Sequence, residues 1–183
     1  MYQGVATTSF VKPDIVTSHF HLREGDRVAD FGTGAGHFVP ALARAVGDAG
    51  RVYALDVQKG LVENVGALAS ERRLSNTSAL LADLEHPGGI PLDDGILDAG
   101  LLVNTLFQLQ DKKVALEEMA RVLRKGAKLF VIDWVESFGG IGPHPESVIP
   151  PARARTVIEE AGFACERDIP AGEHHYALAC RKL

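Results

Sequence analysis

A chain of 183 residues, 46% apolar and 23% charged, has the length of one domain and a composition that buries a core, which excludes disorder as its organising principle. A formal charge of −5 gives no electrostatic reason to bind nucleic acid, and no stretch reaches the roughly eighteen apolar residues of a membrane span. Met1 to Lys12 carry no charged then long apolar leader, so the expected setting is cytoplasmic, and Cys165 and Cys180, outside any C-x-x-C pair, are expected as packing thiols, not a disulfide.

Residues 1–26 read as a helical segment ahead of a core over 27–183, together one domain. The first strand is expected at Val28–Phe31. It runs through Asp30 into Gly32-Thr33-Gly34-Ala35-Gly36, and from near His37 a helix puts Phe38, Ala41, Leu42 and Ala45 on one face. Glycines at such a junction let the backbone approach a ligand, and the helix start offers free N–H groups, so the turn reads as a nucleotide-sized cofactor site. A dinucleotide fingerprint counted from Gly32 needs glycine where this chain has His37. The pattern is D-x-G-x-G-x-G.

A second strand, Arg51–Asp56, ends in an acid able to accept from ribose hydroxyls. Leu61, Val65, Leu68 and Ala69 then mark a helix, and strands are expected at Thr77–Ala82 and Leu97–Val103. Leu116, Met119, Ala120 and Leu123 mark the next helix, expected to end through Arg124-Lys125-Gly126, with cations in its last turn and glycine beyond. A strand at Lys128–Trp134 and a helix through Ala154, Val157, Ile158 and Ala161, ending at Gly162, follow. The connection between Glu166–Ile169 and His175–Lys182 is too short for a crossover helix, so these last strands should pair antiparallel. The alternation makes the fold class α/β, with a mostly parallel sheet buried on both faces.

From about Val28 to Leu183 the ordered set of elements resembles the class I S-adenosylmethionine-dependent methyltransferases, in the group that includes the ubiquinone/menaquinone C-methyltransferases. The resemblance rests on Asp30 to Gly36, Asp56, Ala82-Asp83-Leu84, Leu97-Asp98, Asn104, Glu117 to Gly126 and Glu159-Glu160-Ala161-Gly162-Phe163. Lys125 and Ala127 depart from the family's usual proline and second glycine, and Asn104-Thr105-Leu106-Phe107 is not an N-P-P-Y sequence. The resemblance implies a Rossmann-like seven-stranded sheet of order 3-2-1-4-5-7-6 with an antiparallel last strand. It implies S-adenosylmethionine as cofactor, with Gly32, Thr33, Gly34 and Gly36 along its methionyl and ribose parts and Asp30 near its amino group. Asp56 would take the ribose hydroxyls, Val57 and Gln58 would flank the adenine, Asp83 and Leu84 would bond it, and Asn104 would meet the methionyl end.

The implied activity is methyl transfer to a small molecule. Such transfer needs no obligatory catalytic residue; should the acceptor need a base, His144 in the loop after the fifth strand is the candidate. Trp134 and Phe107 are candidate walls of a substrate pocket. With so little chain before the first strand, an enclosed pocket would need the Phe10–Phe20 segment or a second subunit, a homodimer. Neither His19/His21 nor His174/His175 has companion ligands at metal-binding spacing, so no metal is expected. A nicotinamide-dependent dehydrogenase and a non-catalytic cofactor-binding module stay open as alternatives.

Overall fold

The computed structural model describes residues 11–137 and 142–183, so residues 1–10 of the expected N-terminal helix, and the glycines of the loop after the fifth strand up to Ile141, lie outside the described residues. In chain order the elements are α1 (Pro13–Ser18), β1 (Arg27–Phe31), α2 (Val39–Val46), β2 (Arg51–Asp56), α3 (Lys59–Glu71), β3 (Thr77–Leu81) and β4 (Leu97–Val103). Then come α4 (Lys112–Val122), β5 (Leu123–Trp134), α5 (Pro151–Glu160), β6 (Phe163–Asp168) and β7 (His175–Lys182). Pro13, Pro40 and Pro151 stand in the first turns of α1, α2 and α5, where a missing N–H costs nothing.

The strands form one sheet of order β3-β2-β1-β4-β5-β7-β6. β1 to β5 run parallel, and β7 lies antiparallel between β5 and β6. Alternate side chains feed two cores. On one face Phe31, Leu102, Val131 and Leu178 pack with Leu116, Met119, Ala154 and Ile158 of α4 and α5. On the other, Val28, Val52, Leu101 and Phe130 pack with Val16, Leu42 and Val46 of α1 and α2, and Phe20 stacks on Phe130 at 4.0 Å. α3 covers the same side through Val65. Among the described residues no helix is long and apolar enough to cross a membrane.

Three expectations need correction. α4 ends at Val122, before the expected Arg124-Lys125 turn, because Leu123 is buried opposite Leu97 as the first residue of β5 and Arg124 turns to Asp98 at 2.7 Å. β6 begins at Phe163, three residues before Glu166, because Phe163 is buried under α5 and already pairs with Lys182. Cys165 and Cys180 are not separate thiols: the antiparallel register sets them directly opposite one another, and they form a disulfide.

Candidate active site

At the carboxyl ends of β1, β2, β4 and β5 the sheet opens into a cavity of about 860 Å³. This is where ligands bind in open α/β sheets, because the order reverses between β1 and β4 and the crossovers leave in opposite directions. β7 runs the other way, so its first residue, His175, arrives at the same edge, opposite Trp134. Val11 and Pro13 also line the cavity, so the N-terminal segment helps to wall it, in line with the need for extra chain there.

The glycine turn is held by two carboxylates. Asp56 accepts N–H bonds from Gly34 and Gln58, both at 2.9 Å, which fixes the turn against the end of β2. Asp30 is buried and accepts from the Thr33 hydroxyl at 2.7 Å; burial pushes its pKa up to about 6, with Thr33 opposing and the nearby Asp56 adding to the rise. Gly32 has φ +70°, and a Cβ there would lie 2.8 Å from the Thr105 hydroxyl oxygen, so the turn and the loop after β4 meet with no room for a side chain. After β3, Asp83 caps the Glu85 N–H at 2.9 Å while lining the cavity.

The loop after β4 is set from below. Asp133 on β5 is buried and accepts from the N–H groups of Phe107 and Trp134 at 3.1 and 2.8 Å. Burial raises its pKa to about 6 against the pull of these bonds. Asn104, at φ +51°, lines the cavity with its Oδ1 buried and without a hydrogen-bond partner among the described residues. A donor on a ligand or a water molecule would satisfy such an acceptor. Beyond it, the Trp134 and His175 rings meet at 4.2 Å, and both His175 nitrogens are buried without a hydrogen-bond partner among the described residues.

The cavity thus brings together Asp30, Gly32, Thr33, Gly34, Asp56, Val57, Gln58, Asp83, Leu84, Asn104 and Trp134. It leaves out three residues of the sequence reading. Gly36, at φ +75°, faces α3, where a Cβ would stand 3.0 Å from Val65. Phe107 contributes its N–H to Asp133, not its ring to the cavity. His144 is exposed at the start of a short turn and does not line the cavity. The sequence reading missed Glu85, Thr105, Gln108 and His175 as lining residues, and used His37 only as a missing glycine. For His175 a signal existed: an antiparallel last strand must start at the carboxyl edge of its parallel neighbours.

Charge decides what fits. Among the described lining residues are Asp30, Asp56, Asp83 and Glu85, and no Lys or Arg. Such a lining suits a ligand that carries positive charge, such as a sulfonium or an ammonium. Among the described residues no group of three or more His, Cys, Asp or Glu is arranged to hold a metal ion. The family model described as "methyltransferase domain" matches residues 29–131. The chain belongs to this methyltransferase family.

A ubiquinone/menaquinone biosynthesis C-methyltransferase of Chromobacterium violaceum is 30% identical over 155 residues, which are 78% of this chain and 62% of that protein. The chain thus spans less than two thirds of that relative's length. The crystal structure of a SAM-dependent methyltransferase from Aquifex aeolicus is 32% identical, superposes with a TM-score of 0.88, and covers 95% of this chain and 91% of its own. The cofactor that goes with this methyltransferase family is S-adenosylmethionine, as the charge of the cavity independently suits. The structure of the [4+2]-cyclase SpnF, at 19% identity and a TM-score of 0.79 over 93% of this chain and 80% of its own, shares the fold. A methyltransferase fold therefore leaves the reaction to be argued from the site.

Proposed function

We propose that this protein transfers a methyl group from S-adenosylmethionine to a small-molecule acceptor. The observation that carries the reading is the row of Asp30, Asp56 and Asp83 beside the Gly32–Gly34 turn, in a cavity whose described lining holds four carboxylates and no cation. In this reading Asp30 and the unsatisfied Asn104 Oδ1 receive the ammonium of the methionyl part. Asp56, already fixed by two N–H bonds, turns its remaining lone pairs to the ribose hydroxyls. Asp83 and Leu84 bond the adenine edge, and Val57 and Gln58 flank its faces; Val57 is 62% exposed, an apolar side chain that a flat ring would cover.

When bound, the cofactor supplies a methyl group made electrophilic by its sulfonium. The chain's share is alignment: Asp30 and Asn104 would hold one end of the cofactor and Asp56 and Asp83 the other, which would leave the β4–β5 side of the cavity to an acceptor. Titration calorimetry tests the cofactor half. Wild-type protein binds S-adenosylmethionine, and Asp56→Ala weakens it by about tenfold or more, as expected for loss of a charge-assisted bond of roughly 1.5–3 kcal/mol. Absent binding by wild type would sink the reading. Incubating a metabolite extract with protein and deuterated-methyl cofactor, read by mass spectrometry, separates an enzyme from a module that only binds.

A further inference from the structure

Beyond the cofactor half, the cavity is lined by a pair of rings, Trp134 and His175. His175 is 6% exposed and lines the cavity, with neither imidazole nitrogen hydrogen-bonded among the described residues. A buried ring with an idle donor and an idle acceptor is costly, and at the edge where a ligand sits the ligand is the natural partner. Trp134 touches it at 4.2 Å between ring centres, and Gly142 lies so close to the indole that a Cβ there would come within 2.9 Å of Cε3. The sheet order sets the two rings on β5 and β7, on the far side of β4 from the β1, β2 and β3 ends that carry the acids.

Resting on the methyltransferase reading, we propose that His175 binds the methyl acceptor, accepting a hydrogen bond from a hydroxyl or amine N–H on a molecule with no negative charge, and takes that group's proton during transfer. The acceptor's oxygen or nitrogen lone pair forms the new bond to the methyl carbon. The carbon–sulfur bond breaks with its electron pair onto sulfur. The acceptor's proton passes to the imidazole nitrogen and from there to solvent. Carboxylate and phosphate acceptors are disfavoured, because no Lys or Arg in the described lining meets a negative charge at this end of the cavity. Burial, with a smaller push from neighbouring His174, lowers the His175 pKa to about 4, so the ring is a neutral free base at physiological pH and its accepting nitrogen is vacant.

The chain has a single tryptophan, Trp134, in contact with His175, so its fluorescence reports on this end of the cavity. Three quenchers of one shape are titrated with S-adenosylhomocysteine filling the cofactor half: 4-nitrobenzyl alcohol, 4-nitrotoluene and 4-nitrobenzoate. Wild type is expected to bind the alcohol about three- to tenfold more tightly than nitrotoluene, the worth of one hydrogen bond, with benzoate weakest. In His175→Phe, which keeps the ring and loses the nitrogens, the advantage of the alcohol disappears; His175→Gln restores part of it. Affinity for S-adenosylhomocysteine stays within about twofold in both variants, which shows them folded. The proposal is overturned if wild type does not distinguish alcohol from nitrotoluene, whether both bind or neither does, if benzoate binds as well as the alcohol, or if the preference survives in His175→Phe. Failure of wild type to bind S-adenosylhomocysteine would instead defeat the underlying functional reading.

Discussion

Asp30 carries a desolvated carboxylate through the folded state, and that burden has a measurable pH signature. Its pKa rises from 3.8 to about 6 on folding, so the fold favours the protonated form. Its contribution to stability is therefore present below about pH 4 and is lost as pH rises toward 6, a difference of about 3 kcal/mol at neutral pH. Asp30→Asn, whose amide oxygen still accepts from Thr33, is expected to raise the melting temperature of the ligand-free protein at pH 7 and to weaken cofactor binding. A cationic ammonium rewards the ionised carboxylate, so wild-type affinity should fall about tenfold per unit below pH 6 while the variant's stays flat. Calorimetry between pH 5 and 8 checks both; a flat wild-type profile would remove Asp30 from the ammonium. Asp30, Gly32, Thr33, Gly34 and Asp56 were legible in the sequence because a strand, a turn and a neighbouring strand end fix them within one βαβ unit. His175 was not, because its place depends on a strand pairing formed across the whole sheet, and a histidine pair in sequence suggests a metal before it suggests a wall.

The α4 helix shows how an element can matter to the site without lining it. Glu118 is 4% exposed, accepts the Gly88 and Ile90 N–H groups at 3.0 Å, and pairs with Arg121, whose guanidinium also binds the Ile90 and Leu92 carbonyls and Asp94. The pair is thus a clamp on the segment between β3 and β4, which begins at Ala82 and carries Asp83 and Leu84. Burial alone would raise the Glu118 pKa, but Arg121 and the two N–H groups outweigh it and bring it from 4.5 down to about 2. The stabilisation is complete above about pH 4.5 and is lost as pH falls toward 2. Glu118→Ala leaves the Gly88 and Ile90 N–H groups without their acceptor and Arg121 with Asp94 as its remaining carboxylate; it is expected to cost about 2–4 kcal/mol. The fall in melting temperature at pH 7, of the order of 10 °C, should shrink at pH 3. The spacing of Glu118 and Arg121 was visible as part of a family turn, but their work was not, since neither residue type names its partner. The same applies to the end of α4: local signals favoured a longer helix, and the buried Leu123 and the Arg124–Asp98 contact overrode them.

At the scale of the molecule, periodicity and the short last connection were enough to give the α/β class, the parallel strands and the antiparallel ending, because each is written in local pattern. The cysteine bridge was not, since spacing of thiols in a sequence says nothing of register, and the expectation of a cytoplasmic setting pointed away from it. It joins β6 to β7 and closes a loop of 15 residues, a cross-link worth about 3 kcal/mol. Reductant should therefore lower the melting temperature by about 6–12 °C, and a Cys165→Ala, Cys180→Ala double variant should melt low and ignore reductant. Alkylation of the unreduced, denatured protein should label neither cysteine; two labels per chain would show the bridge absent.

The insertion of β7 between β5 and β6 also governs when the molecule can finish itself. Five parallel strands can assemble as synthesis proceeds, each on the edge of one already made, but the free edge of β5 must wait for the last strand to be translated. β6, made earlier, has no seat until then. A nascent chain halted before residue 175 would carry the acidic half of the cavity, a bare β5 edge open to pairing with other chains, and no opposing wall at Trp134. Competence to hold a cofactor and competence to receive an acceptor would then arise at different moments of the protein's birth.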